Sequence, residues 1–493
     1  MERPRVRGFP DRSKAPFPSS AMGDLLWRHH RAATRRSGAG ETDSMGQQIE
    51  ALAEFAATTG WDNVPESIQA RAKLALLDTI GVILAGSLRP EVEGLCAGLV
   101  STGGTGATVL GPGMRVTDPR TAAMLNAIAG RSVELCDGLR GVQPSVQIVP
   151  GVLAAGEQRQ STGRDMLTAF VTGYEVAGRL ALGFTPRAFA HPNGQVALLA
   201  CAAAGARLRG FDGAGISRTM RIATTMLMAP SYTNTVAGAT ALNLPAGLSG
   251  FAAVLVPELT LAGYAAQDDA IEEALGKMVG GGFDPIKVTD GLGSDWQIAG
   301  SYFRFYACCN PIHPALDCLR DAFASLRPEP EAIDRIDVET YAFASVMRNP
   351  EPANYFASKY SLPHAAAVLA VRAGLGFADL DDSALSDPAI GALRHRVHVT
   401  ENTAMSEQVP AAQPARVTVT LKDGRQATAS RDMSRRDQEQ PDPEPEVRAK
   451  FHELAGTVLT REGVAAVERS VGQAETWASV SDLMTLLRRH LRA

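Results

Sequence analysis

Three short stretches of the chain concentrate side chains that can move protons or hold anions. The first is Arg131-Ser-Val-Glu134-Leu-Cys136-Asp137-Gly138, followed closely by Gln143-Pro-Ser145. Carboxylates that interrupt the end of an apolar helix suit general acid–base work or substrate orientation. The second is His191-Pro-Asn-Gly-Gln195, which leads into a helix of small residues. A histidine beside a helix N-terminus can share an anion with the free helix amides. The third is Tyr302-Phe-Arg304-Phe-Tyr306-Ala-Cys308-Cys309-Asn-Pro-Ile-His313-Pro. It packs a guanidinium, an imidazole and aromatic rings into one short run, and arginine suits two-pronged recognition of a carboxylate. Each stretch also has a plainer reading: solvated charges at a helix end, a capping histidine, or a packed connection between domains.

Other chemistries lack their signatures. The sequence has no Walker loop, dinucleotide fingerprint, His-Glu-x-x-His, Gly-x-Ser-x-Gly or paired Cys-x-x-Cys. Its six cysteines (Cys96, Cys136, Cys201, Cys308, Cys309 and Cys318) match no zinc spacing and no secreted disulfide framework. We therefore expect no metal, no cofactor and a cytoplasmic protein.

The elements that must hold these residues are mainly helices. Apolar residues recur at helical spacing from Gln47, with Ile49, Leu52 and Phe55, and again over 70–85. Further helical runs cover 120–133, 149–158, 164–182, 195–209, 216–228 and 248–264, and no convincing strand precedes residue 290. Beyond it the pattern alternates at 335–341 and 394–400. Residues 417–421 and 426–430 flank an Asp423-Gly424 turn and read as a hairpin. Helical patterns lie between, at 314–324 and 362–372. A polar, Pro-rich linker (434–445) precedes a final helical stretch whose Val447, Phe451, Leu454, Leu483 and Leu487 need a partner surface.

The expected fold class is mostly α: a large all-helical domain (45–297) completed by C-terminal helices (436–493), with a smaller inserted α+β domain (298–435). Residues 1–44, rich in Arg and Pro, read as a disordered or artefactual extension.

Composition narrows the function. The 493 residues carry 48 Lys+Arg against 53 Asp+Glu, a net charge of −5, and 45% are hydrophobic. That is ample apolar material for large cores, and the mild acidity argues against a nucleic-acid partner. The nearest approach to a membrane span, 247–266, contains Pro257 and Glu258 and reads as a buried core helix, so no membrane partner is expected.

Eight motifs occur in an order that resembles the MmgE/PrpD family. They are Leu76-Leu-Asp78-Thr-Ile-Gly81, Glu134-Leu-Cys-Asp137-Gly138, His191-Pro-Asn-Gly, Arg207-Leu-Arg-Gly-Phe-Asp212, Gly291-Leu-Gly-Ser-Asp-Trp296, Tyr306-Ala-Cys-Cys-Asn-Pro-Ile-His313-Pro, Tyr360-Ser-Leu-Pro-His364 and Lys450-Phe-His-Glu-Leu-Ala455. The family includes 2-methylcitrate dehydratase, cis-aconitate decarboxylase and iminodisuccinate epimerase. The resemblance spans about residues 47 to 490 and implies a helical domain with an α+β lid, in a homodimer.

The resemblance also implies site residues, with departures. The family's acidic motif, His-x-x-Asp-x-Asp-Asp-Thr, falls on Arg131, Glu134, Cys136, Asp137 and Gly138. A following histidine is Gln143 here. His191 and His313 are retained. A lysine expected near 239–240 is absent, the lysine before the Cys-Cys pair is Arg304, and a tyrosine of the decarboxylases is His364.

The activity that the resemblance implies is that of a cofactor-independent lyase acting on a small di- or tricarboxylic acid, a hydro-lyase of the 2-methylcitrate dehydratase kind. Proton abstraction α to a carboxylate would start the reaction. His191 or His364 would transfer the proton, with Glu134 and Asp137 orienting the substrate or acting as acid. Arg304 and His313, with Gln143 and Ser145, would bind it. Decarboxylation, epimerisation of a similar acid, or a catalytically silent acid-binding paralogue are the alternatives.

Overall fold

A computed structural model describes residues 45–100, 104–187, 189–434 and 443–492. The expected N-terminal extension and most of the linker before residue 443 lie outside the described residues. Helices of nine or more residues are numbered in chain order. Met45–Thr58 (α1), Glu66–Gly86 (α2), Pro90–Leu99 (α3), Pro119–Ser132 (α4), Pro144–Arg159 (α5), Gly163–Gly183 (α6), Val196–Leu208 (α7), Gly213–Ala223 (α8) and Asn243–Leu261 (α9) build the first half. The starts of α4, α6 and α8 are capped by Asp118, Thr162 and Asp212, whose side chains accept the first free amide N–H groups.

The helices approach closely because the residues between them are small. Gly151 on α5 faces Ala253 on α9, and Gly173 on α6 faces Ala204 on α7. At Gly205 a Cβ would overlap the Ala253 carbonyl of α9, so only glycine fits. Helix α9 belongs to a stretch, Thr240–Leu261, that is long and apolar enough to cross a membrane, with 61% of its most apolar window buried inside the protein. Its neighbours there are α4, α5 and α7, as the reading of a core helix expects.

The first half is not purely helical. Ala107–Val109 (β1) pairs with Arg115–Thr117 (β2), and Phe184–Pro186 (β3) pairs with Gly280–Phe283 (β4). Strands of three or four residues complete too few alternations to stand out from noise in a sequence.

The second half carries a four-stranded sheet in the order Val397–Glu401 (β6), Ile333–Thr340 (β5), Ala415–Leu421 (β7), Gln426–Arg431 (β8). β5 runs parallel to β6 and antiparallel to β7, and β7–β8 is the expected hairpin, with Gly424 at φ +88° in the turn. Helix His313–Leu326 (α10) packs on β7 and β8, and Leu362–Arg372 (α11) packs near β6.

The C-terminal helices Glu444–Ala455 (α12), Arg461–Gly472 (α13) and Ser481–Arg489 (α14) turn back to the helical body. Val447, Phe451, Leu483 and Leu487 share a core with Ile80 and Leu84 of α2. The chain is therefore mostly α, with a helical body and a smaller sheet-bearing part. Val82, Ala85, Leu135 and Cys136 from the helical half join Tyr306, Cys308 and Cys309 in the core of the sheet-bearing half, and that seam holds the residues of interest.

Candidate active site

Helix α4 ends at Ser132, which leaves Arg131 in its last turn, where a cation suits the helix dipole. The chain then turns sharply. Glu134 sits at φ +55°, a left-handed conformation that costs a non-glycine residue free energy and persists where its surroundings hold it. Here they do. Arg131 Nη2 lies 2.6 Å from Glu134 Oε1. Arg304 Nη1 grips Oε2, and the Tyr360 hydroxyl donates to Oε1. Arg131 also donates to Tyr360 at 3.1 Å. All four side chains are buried.

Burial alone would raise the pKa of Glu134. The two guanidiniums and Tyr360 outweigh it and hold the carboxyl down at about 2. Glu134 is therefore a fixed anion. It is an orienting group and no source of protons near neutral pH.

Two cations face this one anion, and their hydrogen bonds are incomplete. Arg131 Nε and Nη1 and Arg304 Nε are buried without a hydrogen-bond partner among the described residues. Unsatisfied buried guanidinium donors are costly. An anion would satisfy them.

Asp137, three residues after Glu134, behaves differently. Its Oδ2 accepts from Ser145 Oγ at 2.8 Å and from the Tyr174 hydroxyl at 3.0 Å. Oδ1 is buried without a partner among the described residues. Burial, assisted by nearby Asp78, pushes its pKa up to about 6 against the pull of those donors. A carboxyl poised there can take or give a proton near neutral pH. Ser145, expected to bind substrate, donates its hydroxyl to Asp137.

Next to Asp137, Gly138 exchanges backbone hydrogen bonds with Tyr302 at 3.0 and 2.9 Å. A Cβ there would overlap the Tyr302 ring. The glycine fixes the loop to the segment that carries Arg304.

His191 is buried and stacks on Tyr232, with ring centres 5.0 Å apart. Burial and the field of Arg131 lower its pKa to about 3, so the ring is neutral. Its Nδ1 accepts the Asn193 amide N–H at 3.2 Å. A neutral ring that accepts at Nδ1 carries its hydrogen on Nε2. The expectation of a proton-accepting His191 therefore changes: in this tautomer it offers a hydrogen-bond donor.

Gln143 Oε1 accepts from Asn193 Nδ2 at 3.1 Å, tying the His191 loop to the start of α5. It props the loop from a buried position.

The other two candidate histidines, His313 and His364, have different surroundings. His313 Nε2 bonds the Cys308 carbonyl at 3.0 Å, and its ring meets Tyr306 edge-on. That bond braces the loop it stands on. His364 lies in the first turn of α11, its amide capped by Ser361. Burial and then Arg394, Lys359 and Arg372 push its pKa down to about 4. The charges acting on it are Arg394, Lys359, Arg372 and Glu351, whereas those acting on His191 are Arg131, Glu134 and Arg304.

Sequence reasoning did not single out Tyr360, Tyr174, Tyr232 or Asn193 for the site. Tyr360 opens one of the eight motifs and Asn193 lies inside another, which was the available signal. Tyr174 and Tyr232 sit in ordinary helical sequence and acquire meaning only through their contacts with Asp137 and His191.

Models of the MmgE/PrpD N-terminal and C-terminal domains match residues 50–282 and 306–473. The chain belongs to the MmgE/PrpD family. Among relatives, a cis-aconitate decarboxylase of Aspergillus terreus is 24% identical over 475 residues, covering 88% of this chain and 95% of that protein. A cis-aconitate decarboxylase of Homo sapiens is 25% identical over 448 residues, covering 85% and 90%. A cis-aconitate decarboxylase-like protein of Aspergillus oryzae is 25% identical over 463 residues, covering 86% and 94%. These relatives are thus matched along nearly their whole length.

Proposed function

We propose that this MmgE/PrpD protein is a lyase acting on a small di- or tricarboxylic acid, without a cofactor. The observation that carries the reading is the buried pair Arg131 and Arg304, which faces one internal carboxylate and keeps unsatisfied N–H groups. A substrate carboxylate would complete those donors and neutralise the excess charge. Asp137, ionised above about pH 6, would remove the proton α to a carboxylate. His191 Nε2–H would donate to the oxygen on which negative charge develops, a role suited to a ring that stays neutral. In a dehydration, the proton taken by Asp137 is returned to the departing hydroxyl, so water leaves and the protein is unchanged.

Decarboxylation is the second reading, favoured by the names of the relatives. Carbon dioxide would then leave from a carboxylate outside the arginine pair, and a proton would be delivered to the carbon left behind.

A melting-shift screen of carboxylic acids that includes citrate, 2-methylcitrate and cis-aconitate, followed by NMR of each hit, tests both readings. Turnover with loss of water supports the first and loss of carbon dioxide the second. Deuterium exchange with neither indicates an epimerase. A melting shift with no chemistry at all would indicate an acid-binding paralogue and overturn the lyase. No shift with any acid would remove the carboxylate site.

A further inference from the structure

Behind the Glu134 cluster the protein buries a second ion pair. Lys450 on α12 places Nζ 2.6 Å from Asp78 Oδ1 on α2. The same ammonium donates to the carbonyl oxygens of Leu135 at 2.6 Å and Arg304 at 2.8 Å. The ammonium thus bonds two backbone carbonyls and faces the Asp78 carboxylate as its ion-pair partner. Lys450 is 6% exposed and Asp78 1%.

A buried ion pair is a poor way to add stability, because well-packed apolar residues do as well. This pair does something apolar residues cannot. Leu135 follows Glu134 directly, and Arg304 is the residue that grips Glu134 from the other side of the seam. One cation thus holds the backbone of both partners in register.

The pair also faces Asp137. Around that carboxyl stand Asp78 and Arg71 from α2, Lys450 from α12, Tyr174 from α6, Ser145 from α5 and the adjacent Cys136. We propose that Asp78 and Lys450 are positioning residues, tying the Glu134–Asp137 loop to the Arg304 segment and setting the charge that Asp137 faces. The proposal rests on reading this cluster as the active site.

The two charges act on Asp137 with opposite sign. Asp78 raises its proton affinity and Lys450 lowers it, with Asp78 the stronger. The test needs no substrate. Melting temperature is measured from pH 4 to 8 for the wild type, Asp78→Asn, Lys450→Gln and the double variant, each with and without Asp137→Asn. The difference within each pair reads the titration of Asp137, and its upper midpoint is the folded-state value.

The expected midpoint falls by about one pH unit in Asp78→Asn and rises by about one in Lys450→Gln. Where a single variant fails to fold, the double variant decides, since it leaves no unpaired buried charge. Its midpoint should lie below the wild type. Midpoints that stay put, or singles that move together, overturn the charge role. Hydrogen exchange reads the tie: peptides over 134–140 and 300–306 should exchange about tenfold faster in the double variant than in the wild type. Unchanged exchange in both, or equal acceleration everywhere, overturns it. Should these results come out as expected while no carboxylic acid binds, the reading of the site fails and the pairing stands.

Discussion

Two arginines and a tyrosine converge on Glu134, and that convergence sets the effect of each substitution there. Glu134→Gln leaves Arg131 and Arg304 buried against an amide. We expect a loss of about 3–5 kcal/mol in denaturant unfolding, the usual result of removing one partner from a buried pair. A loss below about 1 kcal/mol would show that water reaches the cluster. Arg304→Ala should lower kcat/KM on the true substrate by an amount equivalent to about 2–4 kcal/mol, with Arg304→Lys recovering part of it. Unchanged kcat/KM in the alanine variant would exclude Arg304 from substrate contact.

His191 gives a pH signature. Its proton affinity is depressed in the folded protein, from 6.5 to about 3. Above pH 6.5 the ring is neutral in both states, and its full contribution to stability is present. As pH falls toward 3, the unfolded chain takes the proton and the folded one does not, so stability is lost. Between pH 6.5 and 5 this amounts to about 2 kcal/mol. Asp137 works the other way. Its affinity is raised, so its contribution is complete below the usual carboxyl range and is lost as pH rises through about 6. The comparison is therefore wild type against His191→Gln, in which Asp137 is common to both. The variant should lack the 2 kcal/mol acid sensitivity, and equal slopes would mean His191 is solvated.

Elements show where local pattern suffices. The runs read at 120–133, 164–182 and 195–209 fall on α4 (Pro119–Ser132), α6 (Gly163–Gly183) and α7 (Val196–Leu208). Their apolar spacing and caps are local facts. Helix α3 escaped, since Pro90–Leu99 exposes most of its side chains and has a weak apolar stripe. The start of α5 was read late, because Pro150 interrupts a pattern that the tertiary packing tolerates.

The glycines of these helices separate into two kinds, and a pair of substitutions exposes the difference. Gly205→Ala should lower the melting temperature markedly, a cost of about 1–3 kcal/mol, because the new methyl meets the backbone of α9. Gly94→Ala, in open space on α3, should raise stability by about 0.5–1 kcal/mol. Differential scanning calorimetry of the two variants checks both signs, and a tolerated Gly205→Ala would mean α7 and α9 can separate.

At the scale of the whole molecule, the helical body closes only when the chain returns to it. Val447 and Phe451 complete a core begun by Ile80 and Leu84, hundreds of residues earlier. A chain ending at residue 442 should lack that core and give no cooperative melting transition in circular dichroism. A cooperative transition close to the full-length one would show α12–α14 to be accessory. Among the described residues no group of three or more His, Cys, Asp or Glu could hold a metal ion. We expect exhaustive chelation to leave turnover intact, and activity restored by zinc, iron or magnesium would refute this. The homodimer implied by the family resemblance remains a proposal, checked by sedimentation against the chain mass.

By itself the sequence determined most of the long elements and the family. Helical period, caps, the Asp423-Gly424 turn and eight ordered motifs are properties of neighbouring residues, which physics reads within one turn or one hairpin. It also named Glu134, Asp137, His191 and Arg304 as the residues with chemistry to offer. Their roles were decided by tertiary structure. Glu134 became a fixed anion because Arg304 and Tyr360, 170 and 226 residues away, close on it. Asp137 became the titrating carboxyl because α2, α5, α6 and α12 bury it together. His191 became a donor because one backbone amide occupies its Nδ1. Charge state and tautomer depend on what lies within a few ångströms in space, and spacing along a chain carries no record of that.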